Sequence, residues 1–134
     1  MRSAALPRRL AGWSLALLAS VGAPLAHAES GDAMRGRQLF ESRCVGCHSL
    51  DQHRVGPALG TVAGRPAGQA PGYTYSPAMR QATHVWSGEK LRAWLTDPEA
   101  LVPGQAMGYS LSQADDRLDV VAFLQSLAQT RPAP

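Results

Sequence analysis

The sequence predicts an all-α fold, and three observations predict it. Apolar residues recur at helical spacing in two separate stretches: Ala33, Gly36 and Phe40 in one, Val120, Phe123, Leu124 and Leu127 in the other. No strand-rich pattern precedes the pair Cys44 and Cys47. Residues 49–86 show little regular structure and are punctuated by Gly56, Gly60, Gly64, Gly68, Gly72, Pro57, Pro66, Pro71 and Pro77. A loop that long conflicts with a compact domain unless it wraps something.

Cys44-Val45-Gly46-Cys47-His48 indicates what is wrapped, because two thiols two residues apart followed by histidine form the attachment signature of a c-type haem. Each thiol adds across one porphyrin vinyl group, and the spacing lets both sulfurs reach adjacent vinyls. His48 then lies beneath the iron as proximal ligand. The porphyrin becomes the core, with three to five helices wrapped around one covalent haem c. A thioredoxin-like Cys-x-x-Cys would sit in a βαβ context, which is missing here. A structural zinc site would need further ligands, and only His53 and His84 are available, without a matching motif. No cysteine remains for a structural disulfide.

Residues 1–28 have the features of a secretory signal peptide. Arg2, Arg8 and Arg9 open it, an apolar stretch spans 10–19, and Ala26-His27-Ala28 is a small-x-small cleavage site. The apolar stretch is short for a membrane span. Cleavage after Ala28 leaves 106 of the 134 residues, 29–134, enough for a single monohaem domain with no span of its own. Haem attachment occurs outside the bacterial cytoplasm, so the expected location is the periplasm. The formal charge of +3 comes from thirteen Lys+Arg and ten Asp+Glu, and the three signal arginines account for it. A neutral mature chain gives no reason to expect nucleic-acid or anionic-lipid binding. Residues 29–92 carry eight basic and five acidic groups, residues 93–134 two and five. That split gives a dipole if the halves stay apart, and it fits an ordinary solvated surface as well as a steering field.

The elements follow in order. Asp32 is a candidate N-cap for a helix ending near Arg43. Gly36 inside that helix costs about 1 kcal/mol relative to Ala, so a packing reason is expected: a second helix approaches there, with Phe40 filling the space beside it. Ser76-Pro77 suits the start of a short helix. Ser87 caps the next, with Glu89 near its positive end and Leu91, Trp94 and Leu95 as its apolar stripe. Asp97-Pro98 ends it and starts one more turn through Leu101. Ser112-Gln113-Ala114-Asp115 has the spacing of an acidic capping box for the last helix. Residues 131–134 read as a frayed tail.

Six-coordinate iron needs a second axial ligand. The methionines after the signal are Met34, Met79 and Met107, each by default a flexible core residue. Met34 lies on the wrong side of the haem motif, and Met79 near the start of a possible short helix. Met107 follows Val102-Pro103-Gly104-Gln105-Ala106, a turn that projects it, and His/Met ligation is the pattern it fits.

These motifs, with Val55-Gly56-Pro57-Ala58-Leu59-Gly60, Gly64-Arg65, Gly68-Gln69-Ala70-Pro71-Gly72-Tyr73-Thr74-Tyr75 and Val85-Trp86, run in the order of a known family. Over nearly all of residues 32–128 the chain resembles a class I cytochrome c of the mitochondrial type, close to its bacterial soluble members. The resemblance implies that the Pro57 carbonyl accepts a hydrogen bond from His48. It also implies that Tyr75 and Trp86 donate to a buried haem propionate, with Arg65 nearby to offset its charge. Gly36 and Phe40 should pack on Phe123 and Leu124. Three departures stand out. Trp94 replaces a tyrosine common near the axial methionine, so the phenolic hydrogen bond to that sulfur is expected to be lost. Met79 stands where asparagine is common. Glu99, Ala100 and Ala106 stand where mitochondrial members carry docking lysines, and Lys90 is the one lysine of the chain.

The implied function is one-electron transfer by a monomeric carrier without catalytic side chains. Its donor would be a membrane quinol-oxidising complex or a dehydrogenase, and its acceptor an oxidase, reductase or photosynthetic reaction centre. A haem subunit of a dehydrogenase or oxidase complex is the alternative. A haem enzyme with peroxidase activity would need an absent or labile Met107 and a distal base, and neither His53 nor His84 has an evident route to the iron.

Overall fold

The computed structural model describes residues 30–130, so the expected signal peptide and the 131–134 tail lie outside the described residues. Among the described residues there are five helices: α1 (Ala33–Arg43), α2 (Pro77–Gln81), α3 (Gly88–Thr96), α4 (Pro98–Leu101) and α5 (Ala114–Gln129). Among the described residues there are no strands beyond one isolated bridge, Pro66 to Val85. None of the described helices is long and apolar enough to cross a membrane.

Side-chain caps set most of the helix starts. Asp32 accepts from Met34 N at 2.8 Å and Arg35 N at 3.2 Å. Ser76, Ser87 and Asp97 accept in the same way at α2, α3 and α4, satisfying donors that a helix start leaves orphaned. The expected capping box at α5 does not form: Gln113 is the N-cap, with no side-chain hydrogen bond. The incoming chain fixes that register. Leu111 is buried and its N–H donates to Leu95 O at 2.8 Å. Arg117 Nη1 donates to the carbonyls of Leu111 at 2.6 Å and Ser112 at 2.9 Å. Those bonds leave Ser112 one residue outside the helix.

Helices α1 and α5 cross at Gly36, where a Cβ would run into the Asp119 carbonyl. Phe40 and Phe123 pack beside the crossing with ring centroids 5.6 Å apart. Arg35 of α1 reaches Asp116 and Asp119 of α5, and Asp32 N–H donates to Asp119 Oδ1 at 2.6 Å. Val120 and Val121 of α5 lie in the core with Leu91 and Leu95 of α3 and Val62 and Trp86 of the long loop. That loop is braced by side chains. His53 Nε2 lies 2.8 Å from Pro71 O, and its Nδ1 accepts from Ala58 N at 3.0 Å. Tyr73 Oη donates to Val55 O at 2.6 Å. His53 therefore ties two loop segments together, a role that its sequence context did not signal.

Candidate haem site

The haem motif continues α1 as one more turn. Cys44 N donates to Phe40 O at 2.9 Å, and His48 N and Cys47 N donate to Cys44 O at 2.9 and 3.1 Å. Cys44 is half-buried and Cys47 exposed. Burial, and then the neighbouring Cys47, push the Cys44 thiol up to about 11. A thiol raised in this way is the opposite of an activated redox cysteine, so the pair suits a bound group better than disulfide exchange.

His48 is held by two neighbours. Its Nδ1 lies 2.8 Å from Pro57 O, and its ring rests on Gly56, where a Cβ would strike the imidazole. A carbonyl only accepts, so Nδ1 carries the proton and Nε2 keeps the free lone pair that a metal needs. Burial lowers the imidazole's affinity for a second proton, and the Pro57 bond opposes that shift.

Met107 sits in a turn whose Gly104 (φ +83°) and Gly108 (φ +60°) take left-handed conformations that side chains disfavour. Gln105 Oε1 accepts from Met107 N at 2.6 Å and Gly108 N at 3.1 Å. Glu99 steadies the turn through Gly104 N at 2.8 Å and Gln105 Nε2 at 3.3 Å. The phenolic hydrogen bond to the Met107 sulfur is absent, as the replacement of tyrosine by Trp94 implies, and the indole takes its place. Trp94 Nε1 donates to Met107 Sδ at 3.2 Å, so the indole N–H supplies the donor that the absent phenol would have supplied. The other methionines are placed differently. Met34 is 73% exposed, and Met79 is buried with its carbonyl packed under Gly68.

Arg65, Tyr75 and Trp86 all belong to the long segment between α1 and α3. Arg65 Nη1 donates to Thr61 Oγ1 at 3.0 Å and Nη2 to Ala58 O at 3.4 Å, while its Nε is buried without a partner. Tyr75 Oη accepts from Ala70 N at 3.3 Å, which leaves its own proton free to donate. Trp86 N–H and Arg65 O pair at 2.9 Å across the loop, and Trp86 is buried. A buried guanidinium N–H without an acceptor is costly, and a carboxylate is the group that would satisfy it. The residues present therefore fit a haem propionate. The Trp86 and Trp94 rings touch edge to face with centroids 5.4 Å apart, which joins Trp86 to Met107 through Trp94. His84 packs edge-on against Trp86 at 4.5 Å, with a buried Nε2 lacking a partner.

The cytochrome c family model matches residues 33–128. The chain belongs to the cytochrome c family. Relatives agree with the match. A cytochrome c of Euglena viridis is 44% identical over 100 residues, covering 72% of this chain and 98% of that protein. Cytochrome c2 of Rhodopila globiformis is 38% identical over 104 residues, covering 75% and 97%. Cytochrome cH of Methylobacterium extorquens superposes with a TM-score of 0.68 at 36% identity, covering 72% of this chain and 99% of that one. This cytochrome c has the class I all-α fold, carries one covalent haem c, and is an electron carrier rather than an enzyme. An electron carrier implies redox partners. Sequence reading missed Gln105, Glu99 and the bond from Trp94, because each depends on a side chain folding back across a turn or between elements.

Proposed function

We propose that this cytochrome c is an exported one-electron carrier of the periplasm, monomeric, with residues 1–28 removed as a signal and 29–134 forming the haem domain. Cys44 and Cys47 attach the haem, His48 Nε2 and Met107 Sδ are its axial ligands, and Arg65, Tyr75 and Trp86 hold a propionate. The donor is a membrane quinol-oxidising complex or a dehydrogenase, and the acceptor an oxidase, reductase or reaction centre. The bound haem supplies a one-electron cycle at iron. The chain orients it: Pro57 and Gly56 hold the imidazole, the Gly104–Gly108 turn presents the thioether, and the loop excludes water. A thioether ligand in an enclosed apolar pocket favours ferrous iron and raises the potential.

The observation that carries the reading is His48, whose Nδ1 lies 2.8 Å from Pro57 O and whose Nε2 is thereby left for a metal. The test is a visible spectrum of the periplasmically expressed protein, oxidised and reduced, with and without carbon monoxide. A low-spin c-type spectrum that ignores carbon monoxide and shows the weak far-red methionine–iron band is expected. Ready carbon monoxide binding would overturn His/Met ligation, and retention of residues 1–28 in the purified protein would overturn the cleaved signal.

A further inference from the structure

We propose that Glu99, acting through Gln105, locks the Met107 turn shut and closes the haem iron to outside ligands, a role that rests on Met107 being the sixth ligand. The main chain does little to hold this turn. Gln105 N donates to Val102 O at 3.1 Å and Leu111 N to Leu95 O at 2.8 Å. Between them, among the described residues, no main-chain N–H of residues 106–110 donates to another main-chain group. Side chains take over. Gln105 Oε1 accepts from Met107 N at 2.6 Å and from Gly108 N at 3.1 Å. The residue that carries the sulfur is thus tied to a side-chain amide two places before it.

An amide can face either way, and only one way works here. With Oε1 toward Met107, two donors meet an acceptor. Turned over, Nε2 would face the same two N–H groups, donor against donor. Glu99 selects the first arrangement. Its Oε2 accepts from Gln105 Nε2 at 3.3 Å and its Oε1 from Gly104 N at 2.8 Å. A carboxylate only accepts, so it cannot pair with the turned-over amide. Residues 102–110 carry no charged side chain, and the charge that orients the amide comes from α4. Glu99, Gln105 and Met107 N form a chain of bonds in which each link polarises the next. Displacing the Met107 backbone breaks both bonds that Gln105 Oε1 accepts.

The test uses ferric holoprotein, with imidazole as the outside ligand and deuterium exchange of the Met107 and Gly108 amides as a second readout. Glu99→Gln leaves one donor facing a donor whichever way the new amide turns, and Gln105→Glu sets two carboxylates face to face. Each is expected to speed imidazole binding at saturation, and exchange at both amides, about three- to tenfold, the range of a lost hydrogen bond. The double variant, Glu99→Gln with Gln105→Glu, swaps donor and acceptor and keeps every bond paired. Both rates should then return to within about twofold of wild type, whereas independent structural losses would add. Absence of the far-red methionine–iron band from oxidised wild type overturns the Met107 assignment and this role with it. With the band present, unchanged imidazole rates in the single variants overturn the role of Glu99 and Gln105 alone. So does a double variant as fast as the two losses combined. Faster amide exchange with unchanged imidazole binding overturns it too, because the turn would then loosen without opening the iron.

Discussion

At the scale of the residue, the site depends on what is left out as much as on what is present. Gly56 lies against His48, and a methyl there would meet Cε1 and both nitrogens of the imidazole directly. Gly56→Ala must push either the ring or the backbone, an overpacking cost of about 1–3 kcal/mol. Its thermal midpoint should fall and its Soret band should shift. Gly46, inside the same haem motif, meets nothing within 4 Å of an added Cβ, so Gly46→Ala should change stability by no more than about 0.5 kcal/mol. Equal losses in the two variants would mean that His48 is not seated on Gly56. His84 makes a second residue-scale prediction. Burial, and secondarily Lys90, hold its imidazole below the ordinary value of 6.5. The unfolded chain therefore takes the proton first as pH falls. The contribution is fully present above that ordinary value and is lost as pH drops through it toward the lower folded value. Between about pH 7 and pH 5 the wild-type midpoint should drop more than that of His84→Gln. Parallel curves would show that His84 is not the group responsible.

At the scale of the element, the crossing of α1 and α5 decides the fold. Exposed helix positions gain about 1 kcal/mol from Gly→Ala. At Gly36 the sign reverses, because the new Cβ would collide with the Asp119 backbone carbonyl, which cannot swing away as a side chain can. The overpacking cost of about 1–3 kcal/mol exceeds the propensity gain, and the shift would also pull Arg35 from Asp116 and Asp119. Gly36→Ala should lower the thermal midpoint of the holoprotein, and a raised midpoint would show that the helices do not meet there. This crossing was legible in the sequence because a glycine inside a helix, one turn before a phenylalanine, marks a place where a second backbone comes close. The caps at Asp32, Ser76, Ser87 and Asp97 were legible for a similar reason: side chain and backbone donor lie within three residues. The α5 capping box met the same spacing rule and did not form, since Leu111 and Arg117 set the register through contacts distant in sequence or in side-chain reach. The Trp94–Met107 and His53–Pro71 bonds were illegible for that reason too. Local chemistry is written locally, and a donor that crosses from one element to another is not.

At the scale of the whole molecule, charge governs how a carrier meets its partners. The sequence divides into a basic part, 29–92, and an acidic part, 93–134, with net charges of +3 and −3. Such a split would give a strong dipole only if the parts stayed apart, and the fold brings them together. Arg35 from the basic part pairs with Asp116 and Asp119 from the acidic part, so a share of the asymmetry cancels inside the α1–α5 contact. Glu99, which stands in place of a family lysine, spends its carboxylate on Gly104 N and Gln105 Nε2 in the Met107 turn. Ala100 and Ala106 contribute no charge. Residues 102–110, the turn that carries Met107, hold no charged side chain, and Tyr109 among them is 38% exposed. Steered association falls steeply as salt shortens the Debye length from about 30 Å at 0.01 M to about 3 Å at 1 M. For this cytochrome the second-order rate of electron transfer with its physiological partner should change less than about threefold over that range. Stopped-flow traces at increasing sodium chloride check this. A fall of more than about tenfold would mean that a charged ring guides docking after all, and its sign would follow from which replacement, Glu99→Gln or Arg43→Gln, flattens the curve.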